Sequence, residues 1–118
     1  MLREVGLTTA QYAALSALEN SPGLSGADIA RQSFVTPQTM NEIVSNLEQA
    51  GLIERRQHPQ HGRVLQAYLT RTGEQRLRQA HRLVGAVEER MVAGLNRTEQ
   101  KQLVNWLNQC REALENQA

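Results

Sequence analysis

A chain of 118 residues, 40% of them hydrophobic, has the length of one domain and enough apolar material for a modest core, which sets aside a multi-domain enzyme. Only 3% of the residues are aromatic, so the core must rest on Leu, Val, Ile and Ala, a set suited to packed helices, and the lone Cys110 excludes an internal disulfide or a cysteine-rich metal site. The net charge of +1 hides an asymmetry: from Glu54 to Arg82 seven arginines meet two glutamates, a local balance of +5, while the rest of the chain sums to −4. Twelve of the 13 basic residues are arginine, the side chain that forks onto phosphate. No apolar run reaches membrane-spanning length, and "MLREVGLTT" lacks the basic segment and apolar stretch of a secretory leader, so a cytoplasmic protein with no membrane partner is expected.

In chain order, Thr8 or Thr9 caps a first helix over about 8–19, with Leu15 and Leu18 inward and "NSPG" ending it. Ser25 opens a second helix, about 25–33, with Asp28 three residues on as its reciprocal cap partner and Ala27, Ile29 and Ala30 as a small apolar side. Thr36 caps a third, about 36–50, and Pro37 takes the first helical position, where its missing N–H costs nothing. In this third helix Met40, Ile43, Val44 and Leu47 fall at i, i+3, i+4 and i+7, a single buried stripe, and Gly51 stands where a left-handed C-cap belongs. Its other face is Gln38, Thr39, Asn41, Glu42, Ser45 and Asn46, hydrogen-bonding side chains in place of a Glu/Lys ladder, several of them amides that pair with adenine edges. Two short helices in tight succession, the second polar and amide-rich, form a helix-turn-helix arrangement.

A β-hairpin follows over 52–70. "LIERR" (Leu52 to Arg56) reads as a strand, "QHPQHG" as a turn, and "RVLQAYLT" as the returning strand, with Leu65, Ala67 and Leu69 alternating toward the core. A hairpin directly after a recognition helix is a wing, and Arg63 lies where its tip can reach the minor groove, whose negative potential attracts a guanidinium.

"LTTAQYAALSAL" (Leu7 to Leu18), "LSGADIARQSFVTPQTMNEIVSNLEQAGLIERR" (Leu24 to Arg56) and "YLTRTG" (Tyr68 to Gly73) resemble the MarR family of winged helix-turn-helix transcription regulators, and the similarity runs into the C-terminal helices. The resemblance implies a homodimer that binds double-stranded DNA at a palindromic operator, usually as a repressor, often released by a small ligand or by oxidation. Three features depart from the family pattern. The wing's Asp-x-Arg is His61-Gly62-Arg63 here, which keeps the arginine and replaces the acid that would hold it; Glu42 and Asn46 stand where many members are basic; and of the family's longer first helix only "MLREVG" remains. Glu42 either accepts from a cytosine amino group or repels phosphate.

In the last third, Leu77, Ala80, Val84, Val87, Met91 and Leu95 keep three-four spacing from Thr72 onward. Thr98 caps a final helix in which Leu103, Trp106, Leu107, Cys110 and Leu114 repeat it. This apolar surface exceeds what so small a winged domain needs, so Leu77, Val84, Val87, Met91, Leu103, Trp106, Leu107 and Leu114 are expected to form a dimer seam; a helical hairpin folded within one monomer is the alternative.

The remaining motifs have bland readings. His58 and His61 on a turn, with His81 elsewhere, lack Cys or acidic partners and make a poor metal site, so neither metal nor cofactor is expected and the histidines are solvated or touch phosphate. Cys110, at a seam position, is expected to be a buried structural thiol, Trp106 to be core or interface, and Tyr68 to pack on the strand. No phosphate loop, nucleophile elbow or carboxylate pair suggests catalysis.

The expectation is therefore a mainly α protein with a β-hairpin wing: a winged helix-turn-helix region over 1–72 and a helical dimerisation region over 73–118. Gln38, Thr39 and Asn41 would meet base edges, Arg31, Thr36, Ser45 and Arg55 the backbone, and Arg63 the minor groove. A small-molecule effector would act by changing how the C-terminal helices space the two winged domains. The alternative is a winged-helix interaction module without specific DNA binding.

Overall fold

The computed structural model describes residues 2–33 and 35–115; Phe34, in the expected connection before the third helix, and residues 116–118, at the end of the expected 73–118 region, lie outside them. After a short 3-10 helix, Leu2–Val5, the chain forms α1 (Thr9–Asn20), α2 (Gly26–Ser33), α3 (Pro37–Gln49), β1 (Ile53–Gln57), β2 (Leu65–Leu69), α4 (Arg71–Met91) and α5 (Arg97–Glu115). This is the expected mainly helical architecture with one hairpin.

Local chemistry sets the helix starts. Thr8 caps α1 in a reciprocal box: its hydroxyl accepts from the Gln11 N–H at 3.1 Å, and the Gln11 side chain accepts from the Thr8 N–H at 3.0 Å. Ser25 and Asp28 repeat the exchange at α2, at 3.2 and 3.3 Å. Thr36 caps α3 by accepting from the Thr39 N–H at 3.1 Å, and Gly51, at φ +76°, supplies the left-handed turn after it.

β1 and β2 pair antiparallel from Ile53↔Leu69 to Gln57↔Leu65. A two-stranded hairpin alone is marginal in water, and the segment before α2 reinforces it. Gly23 donates to the Ala67 carbonyl, Ala67 donates to the Leu24 carbonyl, and Ser25 bridges to Gln66. The buried core gathers Leu15 and Leu18 of α1, Ile29 and Ala30 of α2, Met40, Val44 and Leu47 of α3, Leu52, Ile53 and Ala67 of the wing, and Leu77 and Ala80 of α4.

Thr70 and Gly73 join the wing to α4. The Thr70 hydroxyl donates to the Gly51 carbonyl at 2.7 Å and accepts from the Gly73 N–H at 3.0 Å, while the Thr70 N–H donates to the Leu52 carbonyl at 3.1 Å. A Cβ on Gly73 would stand 1.9 Å from that same Leu52 oxygen. The "LTRTG" run is thus a cap and a close backbone approach in five residues.

Four expectations change. Leu77 is fully buried in the core of its own chain, so it is not available to a dimer seam. For the same reason the chain divides inside α4, with one compact unit ending at Val84 and the next beginning at Gly85, later than the expected 72/73 boundary. Leu65 is exposed (41%) because it pairs with Gln57 at the turn end of the hairpin, beyond the helices that cover the base. Cys110 is also exposed, because α5 has no cover over that face within the described residues.

The second unit has its own order. Asn96 and Glu99 exchange a reciprocal cap at α5, at 2.9 and 2.8 Å, and the Gln100 amide donates to the Leu95 carbonyl at 2.9 Å. None of its described residues is buried.

Candidate nucleic-acid interface

α3 is two-faced. Met40, Val44 and Leu47 are buried, while Gln38, Thr39, Asn41, Glu42 and Asn46 are exposed and Ser45 is half-buried. Burial of the apolar stripe fixes the helix's rotation and so aims its polar face outward. Thr36 is committed to the cap, its hydroxyl also donating to the Thr39 hydroxyl at 3.0 Å, which orders the first turn of that face. A Cβ on Gly26 would lie 3.0 Å from Asn41 Oδ1, so this amide is laid against the start of α2. Glu42 makes no ion pair among the described residues.

The arginines differ in how firmly they are held. Arg31, 72% exposed, pairs with Asp28 one turn back on its own helix. Arg55, only 25% exposed, donates from Nε (3.2 Å) and Nη2 (2.9 Å) to Glu48 Oε1 near the end of α3. The side-chain hydrogen bond from Arg55, opposed by desolvation and aided by the Arg55 charge and its backbone N–H, holds the Glu48 carboxyl below its ordinary range. Arg63, exposed at the hairpin, has no ion pair among the described residues and lines one recess with Arg55, Asn41, Ser25, Gly26 and Leu65. Hydrogen bonds organise the tip itself: His58 Nδ1 accepts from the Gln60 and His61 N–H groups at 3.0 and 3.2 Å, and Val64 donates to the His61 carbonyl at 2.8 Å. Arg63 and Val64 therefore sit in the turn, ahead of β2.

Several contacts between elements escape a reading of the sequence. Arg56, ion-paired to Glu54, lies 4.6 Å over the Tyr68 ring, a cation–π contact between the two strands. His81 bridges α4 to α1, with Nδ1 2.7 Å from the Tyr12 hydroxyl and Nε2 2.9 Å from Glu19 Oε1. The i, i+7 spacing of Tyr12 and Glu19 on α1, with His81 one turn beyond Leu77, is the sequence signal for that bridge. Glu48 has no such signal, because its partner is on another element. Among the described residues no three His, Cys, Asp or Glu side chains are grouped as a metal would require, and no helix is long and apolar enough to cross a membrane.

Of the expected seam residues in the second unit, Val87 (38% exposed), Met91 (68%), Trp106 (55%), Leu107 (58%) and Leu114 (57%) present large apolar side chains to solvent, and Leu103 is half-buried; Val84, in the first unit, is half-buried as well. Val104 (55%), absent from the expected set, joins them. Trp106 lines an apolar recess with Leu95 and Leu103.

A capped recognition helix, a helix before it braced against a hairpin, and an arginine at the hairpin's turn define a winged helix-turn-helix protein. Comparison with known proteins narrows the class. The sequence model of the MarR family matches residues 5–64. The HTH-type transcriptional repressor Rv2887 of Mycobacterium tuberculosis (strain ATCC 25618 / H37Rv) is 38% identical over 106 residues, 90% of this chain and 76% of that protein. Among solved structures, the transcriptional repressor CouR bound to a 23-mer DNA duplex superposes with a TM-score of 0.84 at 28% identity, covering 92% of this chain and 78% of that one. Rv2887 in complex with salicylic acid gives a TM-score of 0.74 at 37% identity over 92% of this chain and 81% of that one. The chain belongs to the MarR family of transcriptional regulators.

Proposed function

We propose that this protein is a cytoplasmic transcriptional repressor that binds a palindromic operator as a homodimer and is released by a small-molecule effector. The observation that carries the reading is the exposed face of α3 formed by Gln38, Thr39, Asn41, Glu42 and Asn46, rotated outward by its buried stripe and flanked by Arg63 of the wing. Gln38, Thr39 and Asn41 read base edges, with Glu42 as an acceptor for a cytosine amino group. Arg31, Thr36, Ser45 and Arg55 meet the backbone, and Arg63 enters the minor groove. The apolar face around Met91, Trp106, Leu107 and Leu114 is covered by the second copy, which sets two recognition helices about one helical turn of DNA apart.

Support comes from two relatives: Rv2887 and CouR are both named repressors, CouR was solved on a DNA duplex, and Rv2887 was solved with salicylic acid. An effector acts here by shifting the population of dimers whose spacing fits both half-sites. The reading assigns binding and no catalytic step to this chain. Fluorescence anisotropy tests it, with a duplex from immediately upstream of the gene, a scrambled duplex, two salt concentrations and the Arg63→Ala variant. Specific binding that weakens with salt and falls on loss of Arg63 is expected; a folded dimer that binds no duplex at low salt would refute the reading.

A further inference from the structure

A carboxylate at Glu48 is doubly out of place. It sits at the C-terminal end of α3, where the helix dipole disfavours negative charge, and close to a surface that, on the function proposed above, meets a polyanion. Its side chain holds Arg55, and it does so differently from the other arginine ion pairs of the winged region. Arg31 and Arg56 pair within their own helix or strand and stay 72% and 63% exposed, whereas Arg55 reaches from β1 to α3 and is 25% exposed. The Glu48 contact occupies two of the five guanidinium N–H groups, through Nε and Nη2. Nη1 and the second Nη2 hydrogen are left over, in a side chain that lines the recess shared with Arg63 and Asn41.

We propose that Glu48 is a positioning residue for DNA binding: it fixes Arg55 between the recognition helix and the wing so that the remaining guanidinium edge meets a backbone phosphate beside Arg63. This rests on the function proposed above. An arginine ordered in advance loses less rotamer freedom on docking than a free one, so the contact holds more tightly although it carries no sequence information. Because the partners lie on α3 and β1, the same contact fixes how far the wing stands from the helix it assists.

Coulomb's law and positioning predict opposite signs for removing Glu48, which makes the test decisive. Deleting a negative charge beside a duplex should tighten binding; losing the support of Arg55 should weaken it. A duplex enriched by the wild-type protein from a randomised pool is titrated against wild type, Glu48→Ala, Glu48→Gln, Arg55→Ala and the double variant Glu48→Ala/Arg55→Ala, over a series of salt concentrations, with thermal melting of each protein alongside. Glu48→Ala is expected to weaken binding by about threefold or more, the partial loss of one charge-assisted hydrogen bond. The slope of log affinity against log salt should become shallower by up to about 0.9 for each phosphate that is no longer neutralised. Glu48→Gln, which keeps a neutral acceptor, should fall between Glu48→Ala and wild type. In the Arg55→Ala background the Glu48 change should have no weakening effect. Equal or tighter binding by Glu48→Ala with an unchanged slope overturns the proposal, as does the same weakening in the Arg55→Ala background. Should Glu48→Ala melt below the assay temperature, Glu48→Gln is read with the same signs. A wild-type protein that enriches no duplex refutes the proposed function instead, so the two failures are distinct.

Discussion

Gly73 lies in the first turn of α4, where helix propensity alone says that alanine should stabilise by up to about 1 kcal/mol. The packing around it predicts the reverse. An added Cβ would stand 1.9 Å from the Leu52 carbonyl oxygen, where real Cβ contacts essentially never fall below 3.0 Å, so helix and strand entrance must part by about 1.1 Å. Leu52 is 2% exposed and packed in the core, and its carbonyl already accepts from the Thr70 N–H at 3.1 Å. An opening of that size takes this bond, and the Thr70 hydroxyl's 2.7 Å bond to Gly51, beyond hydrogen-bonding reach. Overpacking costs about 1–3 kcal/mol, and the two bonds about 1 kcal/mol each. Less the propensity gain, Gly73→Ala should destabilise by about 3 kcal/mol. That is a large share of the roughly 5–15 kcal/mol that holds a domain folded, and it lowers Tm by about 10 °C or more. Urea and thermal unfolding followed by circular dichroism measure it. A Tm equal to or above that of wild type would refute the reasoning and imply that α4 tilts away at little cost.

Three more outcomes follow from the same packing. Leu77→Ala should destabilise the fold by about 2–5 kcal/mol, with a Tm shift independent of protein concentration because the residue packs in its own chain; a shift that grows on dilution would return it to the dimer seam. Trp106→Glu buries a charge if two copies meet there, so dimer dissociation should rise by about a hundredfold or more, visible in sedimentation or size-exclusion dilution series, while the melting of the winged unit holds. Because Arg55 depresses the Glu48 pKa, the stability this pair contributes is fully present above the ordinary carboxyl value of 4.5 and is lost as pH falls through the lowered folded value. The Tm difference between wild type and Glu48→Gln should therefore be constant at neutral pH and shrink below 4.5; a gap that widens in acid would contradict the pairing.

The helices and the wing are legible in the sequence because their causes are local. The Thr8, Ser25 and Thr36 caps, the Met40-Val44-Leu47 stripe, Gly51 and the alternation around Ala67 each act within a few residues, so spacing alone reveals them. The same stripe assigns Gln38, Thr39, Asn41 and Glu42 to the exposed face, since one buried side of a helix dictates the other. The C-terminal periodicity is equally visible, but a repeating apolar face does not say what covers it. Leu77 and Met91 belong to one pattern along α4, yet one is fully buried in its own core and the other is 68% exposed.

Contacts between residues distant in the chain are a different matter. Glu48 on Arg55, Arg56 over Tyr68, and the approach of Gly73 to Leu52 have partners chosen by packing and carry no periodic signature. His58 likewise reads as a solvated side chain in sequence, whereas its Nδ1 accepts two N–H groups of its own turn, a geometry set by how the hairpin closes. Short-range chemistry dictates which elements form and which face each presents. Where those faces meet, and so which arginine is held and which carboxylate holds it, depends on the whole chain folding at once.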